Sequence, residues 1–277
     1  MKKIIVPIDF SKYSEYALET SAALAKKHNA QIIVIHMLEL SEAVLSISGA
    51  ETQTETLFML KLASKKFEEF LQKDYLEGIE IETIIKHHKV FNELDQVAKD
   101  IGADLIVMGS HGHSRQEGIF SGSNTAKVVR HSDIPVLIVK SSVINIDFDN
   151  VVYATDFSEE SIPAFKKAQE LLSILNSEIT LLHVNLPYSD FLSTTEIKEQ
   201  AKNFLEKADG NLNRLPAIEY ISDYSVEAGI LSYADNANVD MIAMSTHGRT
   251  GLIHFFGGSI SEDLVHNSTL PVLTFKM

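Results

Sequence analysis

The chain is written twice, and that repeat leaves few folds open. Lys3-Ile-Ile-Val-Pro-Ile-Asp9-Phe-Ser11 returns as Asn150-Val-Val-Tyr-Ala-Thr-Asp156-Phe-Ser158. The step from Asp9 to Asp156 is 147 residues, and the same step carries His36-Met37 onto His183-Val184. Further along the step falls to 136: Gly112 answers to Gly248, Gly122 to Gly258, and Ile134–Val139 to Leu270–Phe275. The second copy is therefore 11 residues shorter between its second strand and its glycine loop. Insertions collect in surface connections, which points to the polar stretch Leu40–Thr56. The repeat predicts two domains, residues 1–142 and 143–277, each long enough for its own core.

Each copy reads as strand and helix in alternation. Ile32–Ile35 and Leu105–Met108 are short continuous apolar runs, the pattern of strands buried on both faces of a parallel sheet. Ala164, Phe165, Ala168, Leu171 and Leu172 fall on one face of a helix. Ser11 and Ser158, after the first strands, are N-cap candidates. The fold class expected is α/β: two tandem Rossmann-like domains, each a five-stranded parallel sheet flanked by helices. Such sheets bind ligands outside the carboxyl ends of their strands, where the strand order reverses. The strand ends there are Asp9, Met37 and Gly109, and in the second copy Asp156, Val184 and Ser245. Ser141–Asp149 joins the copies and is neither Gly- nor Pro-rich, so the domains are expected to pack.

Composition narrows the function classes. Of 277 residues, 45% are apolar and 22% charged, as in ordinary globular proteins. Cysteine is absent, which excludes disulfides, thiolate catalysis and thiolate-bound zinc. The net charge of −14 opposes binding to nucleic acid or anionic lipid. It does not oppose a nucleotide, because a nest of backbone N–H groups can hold an anion inside an acidic protein. Pro7 and Asp9 interrupt the first apolar run, and no run reaches a membrane span, so a cytoplasmic location is expected.

Met108-Gly109-Ser110-His111-Gly112, then nine residues, then Gly122-Ser123, carries the chemistry. It lies between a buried strand and a helix start. Glycine at 109 and 112 permits positive φ and close backbone approach. The first N–H groups of a helix opening at Gly122-Ser123 lack intrahelical partners and attract an anion. Ser123 and Asn124 add a hydroxyl and an amide. No Lys-Ser/Thr follows, so this is not a Walker loop, and the dinucleotide spacing G-x-G-x-x-G is absent. Phosphate binding suits the pattern. So do two tight turns, which also need glycine, and the residues alone leave both readings open.

Gly109-x2-Gly112-x9-Gly122-Ser123 resembles the signature of the ATP-binding branch of the universal stress proteins. Pro7-Ile8-Asp9-Phe10-Ser11, His36-Met37 and the closing Pro135-Val136 strand resemble the same family. Both halves match, so the resemblance is to tandem members, whose domains are of the adenine nucleotide alpha hydrolase-like type. It implies an ATP site in the first half. Pro7, Ile8 and Asp9 would meet the adenosine end, Met37 would give backbone contacts to adenine, and Met108 would line the cavity. Gly109, His111, Gly112, Gly122, Ser123 and Asn124 would surround ribose and phosphates, with Mg²⁺ on the phosphate oxygens. The resemblance also implies that Ile134–Val139 and Leu270–Phe275 meet, pairing the two domains within one chain; homodimerisation is left open.

The second half offers Thr155, Asp156, Val184, Met244, Gly248, Arg249, Gly258 and Ser259. It departs at Ser245, which stands where the first half has Gly109. If that glycine needs positive φ, serine there costs about 1 kcal/mol or more, though Arg249 could offer a phosphate contact in compensation. Both halves also lack the glycine-proline turn common in the family after the third strand: the first has His88–Asn92 there and the second Ser222–Val226.

Other residues are more ordinary. Asp9 reads as a cap and ligand hydrogen-bonder rather than a general base. His111 and His113, and His87 with His88, lack the further ligands of a zinc site. His36 and His183 read as structural histidines with satisfied ring nitrogens. Phe255 and Phe256 read as core. No nucleophile or catalytic residue stands out. The function expected is nucleotide-dependent regulation of a stress response without strong catalysis. The alternatives are a slow ATPase or nucleotidyl-transfer enzyme and a scaffold that binds no nucleotide.

Overall fold

A computed structural model describes residues 1–38, 50–87, 90–110, 123–143, 146–246 and 258–277. The chain forms two compact units, Met1–Val128 with Val139–Val143, and Val129–Ile138 with Ile144–Met277.

The first unit contains β1 (Lys3–Ile8), α1 (Lys12–His28), β2 (Gln31–Leu38), α2 (Ala50–Phe70), β3 (Ile81–His87), α3 (Val90–Asp100), β4 (Leu105–Gly109) and the start of α4 (Ser123–His131). Its strands lie in the order β3-β2-β1-β4, all parallel, with Ile8 opposite His36 and Ile4 opposite Leu105. Consecutive residues Ile4, Ile5 and Val6 are all fully buried, as are Val34 and Ile35. That is the signature of a sheet covered on both faces, and it explains why these strands do not alternate. The order reverses at β1, which has β2 on one side and β4 on the other, so the crevice outside β1 and β4 is the switch point.

The second unit contains β5 (Val136–Val139) up to Ile138, β6 (Asn150–Ala154), α5 (Ile162–Leu175), β7 (Glu178–Asn185), α6 (Thr194–Ala208), β8 (Glu219–Ser222), α7 (Val226–Asn236), β9 (Met241–Thr246), α8 (Gly258–Asn267) and β10 (Val272–Lys276). Its strands run β5-β10-β9-β6-β7-β8. β10 pairs antiparallel with β5, with Val272 opposite Ile138 and Thr274 opposite Val136. The two last strands of the repeat do meet, and each covers the other's edge. Lys276 anchors the pair through Asp133 Oδ1 at 2.7 Å and the His131 carbonyl at 3.2 Å. This pairing makes the sheet mixed rather than purely parallel. The pairings β10–β9, β9–β6, β6–β7 and β7–β8 are parallel.

Two sequence expectations change. The Leu40–Thr56 insertion is not loop throughout. Ala50 to Thr56 open α2, a stretch without Gly or Pro, while residues 39–49 lie outside the described residues. Ser11 caps α1 as expected, its side chain accepting from Ser14 N at 3.3 Å. Ser158 does not cap α5. A 3₁₀ turn, Glu159–Ser161, intervenes, and Ser158 makes no side-chain cap bond. α5 carries proline in its first turn instead, a residue that lacks the N–H a cap would satisfy. The helical face named from periodicity, Ala164, Phe165, Ala168, Leu171 and Leu172, is buried in full.

Candidate functional site

The loops after β1 and β6 are built alike. Asp9 Oδ1 accepts from Ser11 N at 2.9 Å, and Asp156 Oδ1 accepts from Ser158 N at 2.9 Å. The residue between is left-handed in both: Phe10 at φ 62° and Phe157 at φ 59°. Such φ values are uncommon for a bulky residue, and here aromatic packing holds them. Phe10 lies 4.6 Å from the His36 ring and 5.5 Å from Phe67, and Phe157 lies 5.3 Å from His183 and 5.6 Å from Phe204. The fixed loop presents a carboxylate just outside the first strand of each unit. Phe10 and Phe157 are the residues sequence reasoning missed here, although their shared place in the Asp-Phe-Ser repeat was the available signal.

The two histidines lock the same loops. His36 Nδ1 lies 2.8 Å from the Ile8 carbonyl and His183 Nδ1 3.1 Å from that of Thr155. A carbonyl only accepts, so Nδ1 carries the proton in both rings and Nε2 is the acceptor. Burial holds both imidazoles below their ordinary pKa, against the opposing effect of that carbonyl bond. The expectation of satisfied rings fails for His183. Its Nε2 is buried without a hydrogen-bond partner.

In the first unit, Ile8 and Met108 belong to the core, and Pro7 and Met37 are half-buried beside them. Gly109 ends β4, and its carbonyl accepts from Thr125 Oγ1 at 3.0 Å. That bond ties the first turn of α4 to the strand end next to the Asp9 loop. Thr125 went unnoticed in the sequence because its role depends on a contact 16 residues away. The expected positive φ at Gly109 is not observed; among the described glycines it belongs to Gly78, Gly102 and Gly210. Glycine is needed at 109 for space. A Cβ there would lie 2.7 Å from the carbonyl carbon, the oxygen and the Cβ of Tyr13 in α1.

This overturns the argument about Ser245. In the second unit β9 holds Ser245 at 1% exposure with no left-handed backbone. Burial pushes the nearby Tyr153 phenol up, and the Ser245 hydroxyl opposes that shift. The two hydroxyls interact without hydrogen-bond geometry, and each is buried without a partner by distance and angle.

Thr155, Asp156, Val184 and Met244 do gather at the switch point of the second unit, where Ala154 lies opposite Met244. Thr155 spends its Oγ1 on the Phe157 amide at 3.0 Å. The cleft between Ala154–Asp156, Leu182–Val184 and Val226 leaves no room for a water molecule. Gly229 explains the closure. A Cβ on it would lie 2.7 Å from Val184 Cγ1, so α7 lies close against the end of β7. The equivalent position in the first copy is Glu93.

Ser123 and Asn124 open α4, and Gly258 and Ser259 open α8, as expected of helix starts. His111, Gly112, His113, Gly122, Gly248, Arg249, Phe255, Phe256 and His88 lie outside the described residues. Among the described residues no three of His, Asp and Glu gather as a metal site, and no helix is long and apolar enough to cross a membrane.

The wider comparisons agree with this architecture. The sequence profile of the Universal stress protein family matches residues 1–140 and again 147–276. Universal stress protein MJ0577 of Methanocaldococcus jannaschii is 31% identical over 153 residues, half of this chain and 94% of that protein. Universal stress protein Slr1230 of Synechocystis is 26% identical over 296 residues and spans the whole of both chains. The crystal structure of a universal stress protein from Archaeoglobus fulgidus covers 99% of this chain with a TM-score of 0.66 at 24% identity, which speaks for the fold. With a family match over each half and the same strand-end loops in both units, the chain belongs to the universal stress protein family and carries two of its domains in tandem.

Proposed function

We propose that the first unit binds ATP at the crevice outside β1 and β4, and that the protein acts as a nucleotide-dependent regulator rather than an enzyme. The observation that carries this reading is the Thr125–Gly109 bond. It ties the first turn of α4 to the end of β4, the strand that neighbours β1 and so the loop that carries Asp9, which supports the reading. A helix start in that position favours phosphate. Asp9 would accept from the sugar hydroxyls, the backbone at Met37 would meet the base, and Gly112, Gly122, Ser123 and Asn124 would surround the phosphates. Mg²⁺ would be held through phosphate oxygens. Occupancy would favour one binding state of the protein over another.

The second unit supports no second nucleotide in this reading, because α7 fills the cleft that an adenine would need. One ATP per chain is expected. The test is to release bound small molecules from the purified protein for mass spectrometry and to titrate ATP by calorimetry. Adenine nucleotide at a stoichiometry near one supports the reading. Absence of both bound nucleotide and ATP heat overturns it, and a stoichiometry of two overturns the claim about the second unit. ATP turnover at rates typical of enzymes, about 1 per second or faster, would overturn the regulatory reading.

A further inference from the structure

Three large side chains of the second unit stand in solvent: Tyr188 is 87% exposed, Tyr224 85% and Phe191 62%. All three lie where two strands leave the sheet. β7 and β8 are parallel and end level, with Asn185 opposite Ser222, and the Asp223 amide donates to the Asn185 carbonyl at 3.3 Å. Tyr224 comes two residues after Ser222, and Tyr188 three after Asn185. Phe191 is drawn back to the same junction, because its neighbour Leu192 is bonded twice to the Asn185 side chain. Leu192 N donates to Asn185 Oδ1 at 3.1 Å, and Asn185 Nδ2 donates to the Leu192 carbonyl at 2.9 Å. β8 is the last strand of the sheet on this side. Single exposed rings are ordinary, but several together mark an interaction site.

The loop that carries two of the rings is fixed by its own bonds. The Asn185 clamp closes it, a 3₁₀ turn over Tyr188–Asp190 fills it, and the Phe191 amide donates to the Tyr188 carbonyl at 3.3 Å. The capping box of α6 begins directly after it, at Ser193. Tyr188 is held at φ 64°, a conformation that is costly for a bulky side chain. Phe10 and Phe157 take the same conformation with their rings packed on neighbours, whereas Tyr188 takes it with its ring in water. An aromatic ring already fixed in place loses little further freedom on binding, and tyrosine is prominent among residues that carry binding energy.

Charge selects the partner. Residues 184–197 and 215–246 carry acidic side chains and not one Lys, Arg or His. Asp190 and Asp223 are the carboxylates next to the rings, and both are partly exposed. Asp223 Oδ1 also accepts from the Tyr224 amide at 2.6 Å, which ties that carboxylate to its ring. A second copy meeting this surface with its own would bring like charges together, and nucleic acid or anionic lipid would be repelled too. A guanidinium group suits what remains. It stacks flat on a tyrosine ring, bonds a carboxylate through paired N–H groups, and brings an apolar stem that can lie on Phe191. We propose that the loops after β7 and β8 form a docking surface for an arginine-bearing segment of another protein. The inference concerns the second unit alone and does not rest on the nucleotide reading.

The test uses the full chain and an acetylated, amidated peptide of four Arg-Pro repeats, which proline keeps extended. The chain has no tryptophan, so Tyr188→Trp keeps an aromatic face and makes it the single indole reporter. Saturable binding at one site is expected, seen as a shift of that emission and as heat with the parent protein. Phe191→Ser and Tyr224→Ser should each weaken binding by about tenfold, with unchanged melting profiles as the check on folding. Asp190→Asn should weaken it by about threefold or more, while Glu170→Gln, on the exposed side of α5, should leave it unaltered. The matching Lys-Pro peptide should bind more weakly, because an ammonium group neither stacks nor bonds in pairs. No saturable signal at millimolar Arg-Pro peptide would overturn the proposal. Equal binding of the two peptides, or equal losses in Asp190→Asn and Glu170→Gln, would overturn it by reducing the effect to attraction towards an acidic surface. An emission shift with phosphatidylcholine vesicles and none with the peptide would overturn it in favour of a lipid surface. Self-association of the parent protein in sedimentation that Tyr188→Ser abolishes would overturn it in favour of a second copy.

Discussion

Replacing Gly109 with alanine tests the claim that this glycine serves space rather than backbone conformation. The new Cβ would sit 2.7 Å from three Tyr13 atoms, two of them backbone, where carbon contacts settle at about 3.5–4.0 Å. No rotamer change can move those atoms. α1 must shift, although it packs along β4 and β1. Overpacking of this kind costs about 1–3 kcal/mol. Against that, alanine narrows the unfolded ensemble and would stabilise by about 0.4–1 kcal/mol if the folded state accepted it. The two effects oppose each other, so the sign of the change decides. We expect a net loss of about 1–2 kcal/mol, or a melting point lower by several degrees for a unit of this size. The assay is urea and thermal denaturation of the full chain, following the transition of the first unit separately because two units need not unfold together. A Gly109→Ala protein as stable as the parent, or more stable, would refute the reasoning. Ser245→Gly in the second unit is the contrast. It removes a buried hydroxyl that lacks a standard hydrogen bond, and the change should stay within about 1 kcal/mol.

Gly122→Val should weaken ATP binding without altering the melting profile, and unchanged affinity in calorimetry would put the phosphates elsewhere. The histidines make stability pH-dependent. The folded pKa values of His36 and His183 are lowered, so between those values and about 6.5 the unfolded chain binds more protons. Stability is then complete above that pH and declines as pH falls through the folded values. His183→Asn should flatten the decline in denaturation midpoints between neutral and mildly acidic pH. Tyr153→Phe removes a buried hydroxyl without a hydrogen bond of standard geometry, and the unfolding free energy from urea titration should stay level or rise by up to about 1 kcal/mol. Ser193→Ala breaks the capping box of α6, in which Ser193 and Glu196 bond each other's backbone. Its expected cost is about 1 kcal/mol.

The sequence by itself determined what depends on local pattern and on repetition. Uninterrupted apolar runs such as Ile32–Ile35 identify strands buried on both faces, and the 147-residue step from Asp9 to Asp156 identifies the second domain. The meeting of Val136–Ile138 with Val272–Thr274 was expected only from the family resemblance, since the repeat places an equivalent strand at the end of each half without saying that the two pair. Helix starts at Ser123 and Gly258 follow from the glycine spacing. Tertiary structure alone decided what depends on distance between remote residues. Gly109 reads in sequence as a conformational glycine, and only the approach of Tyr13 reveals a steric one. Ser245 reads as a defect, yet β9 buries it without a left-handed backbone. Ser158 and His183 read as a cap and a satisfied histidine, but Ser158 Oγ and His183 Nε2 both end buried without a partner. The physical reason is the same in each case. Periodicity encodes which face of an element is buried, while the space left between two elements depends on side chains contributed from both. A cavity or a clash belongs to the pair, and no stretch of either sequence carries it alone.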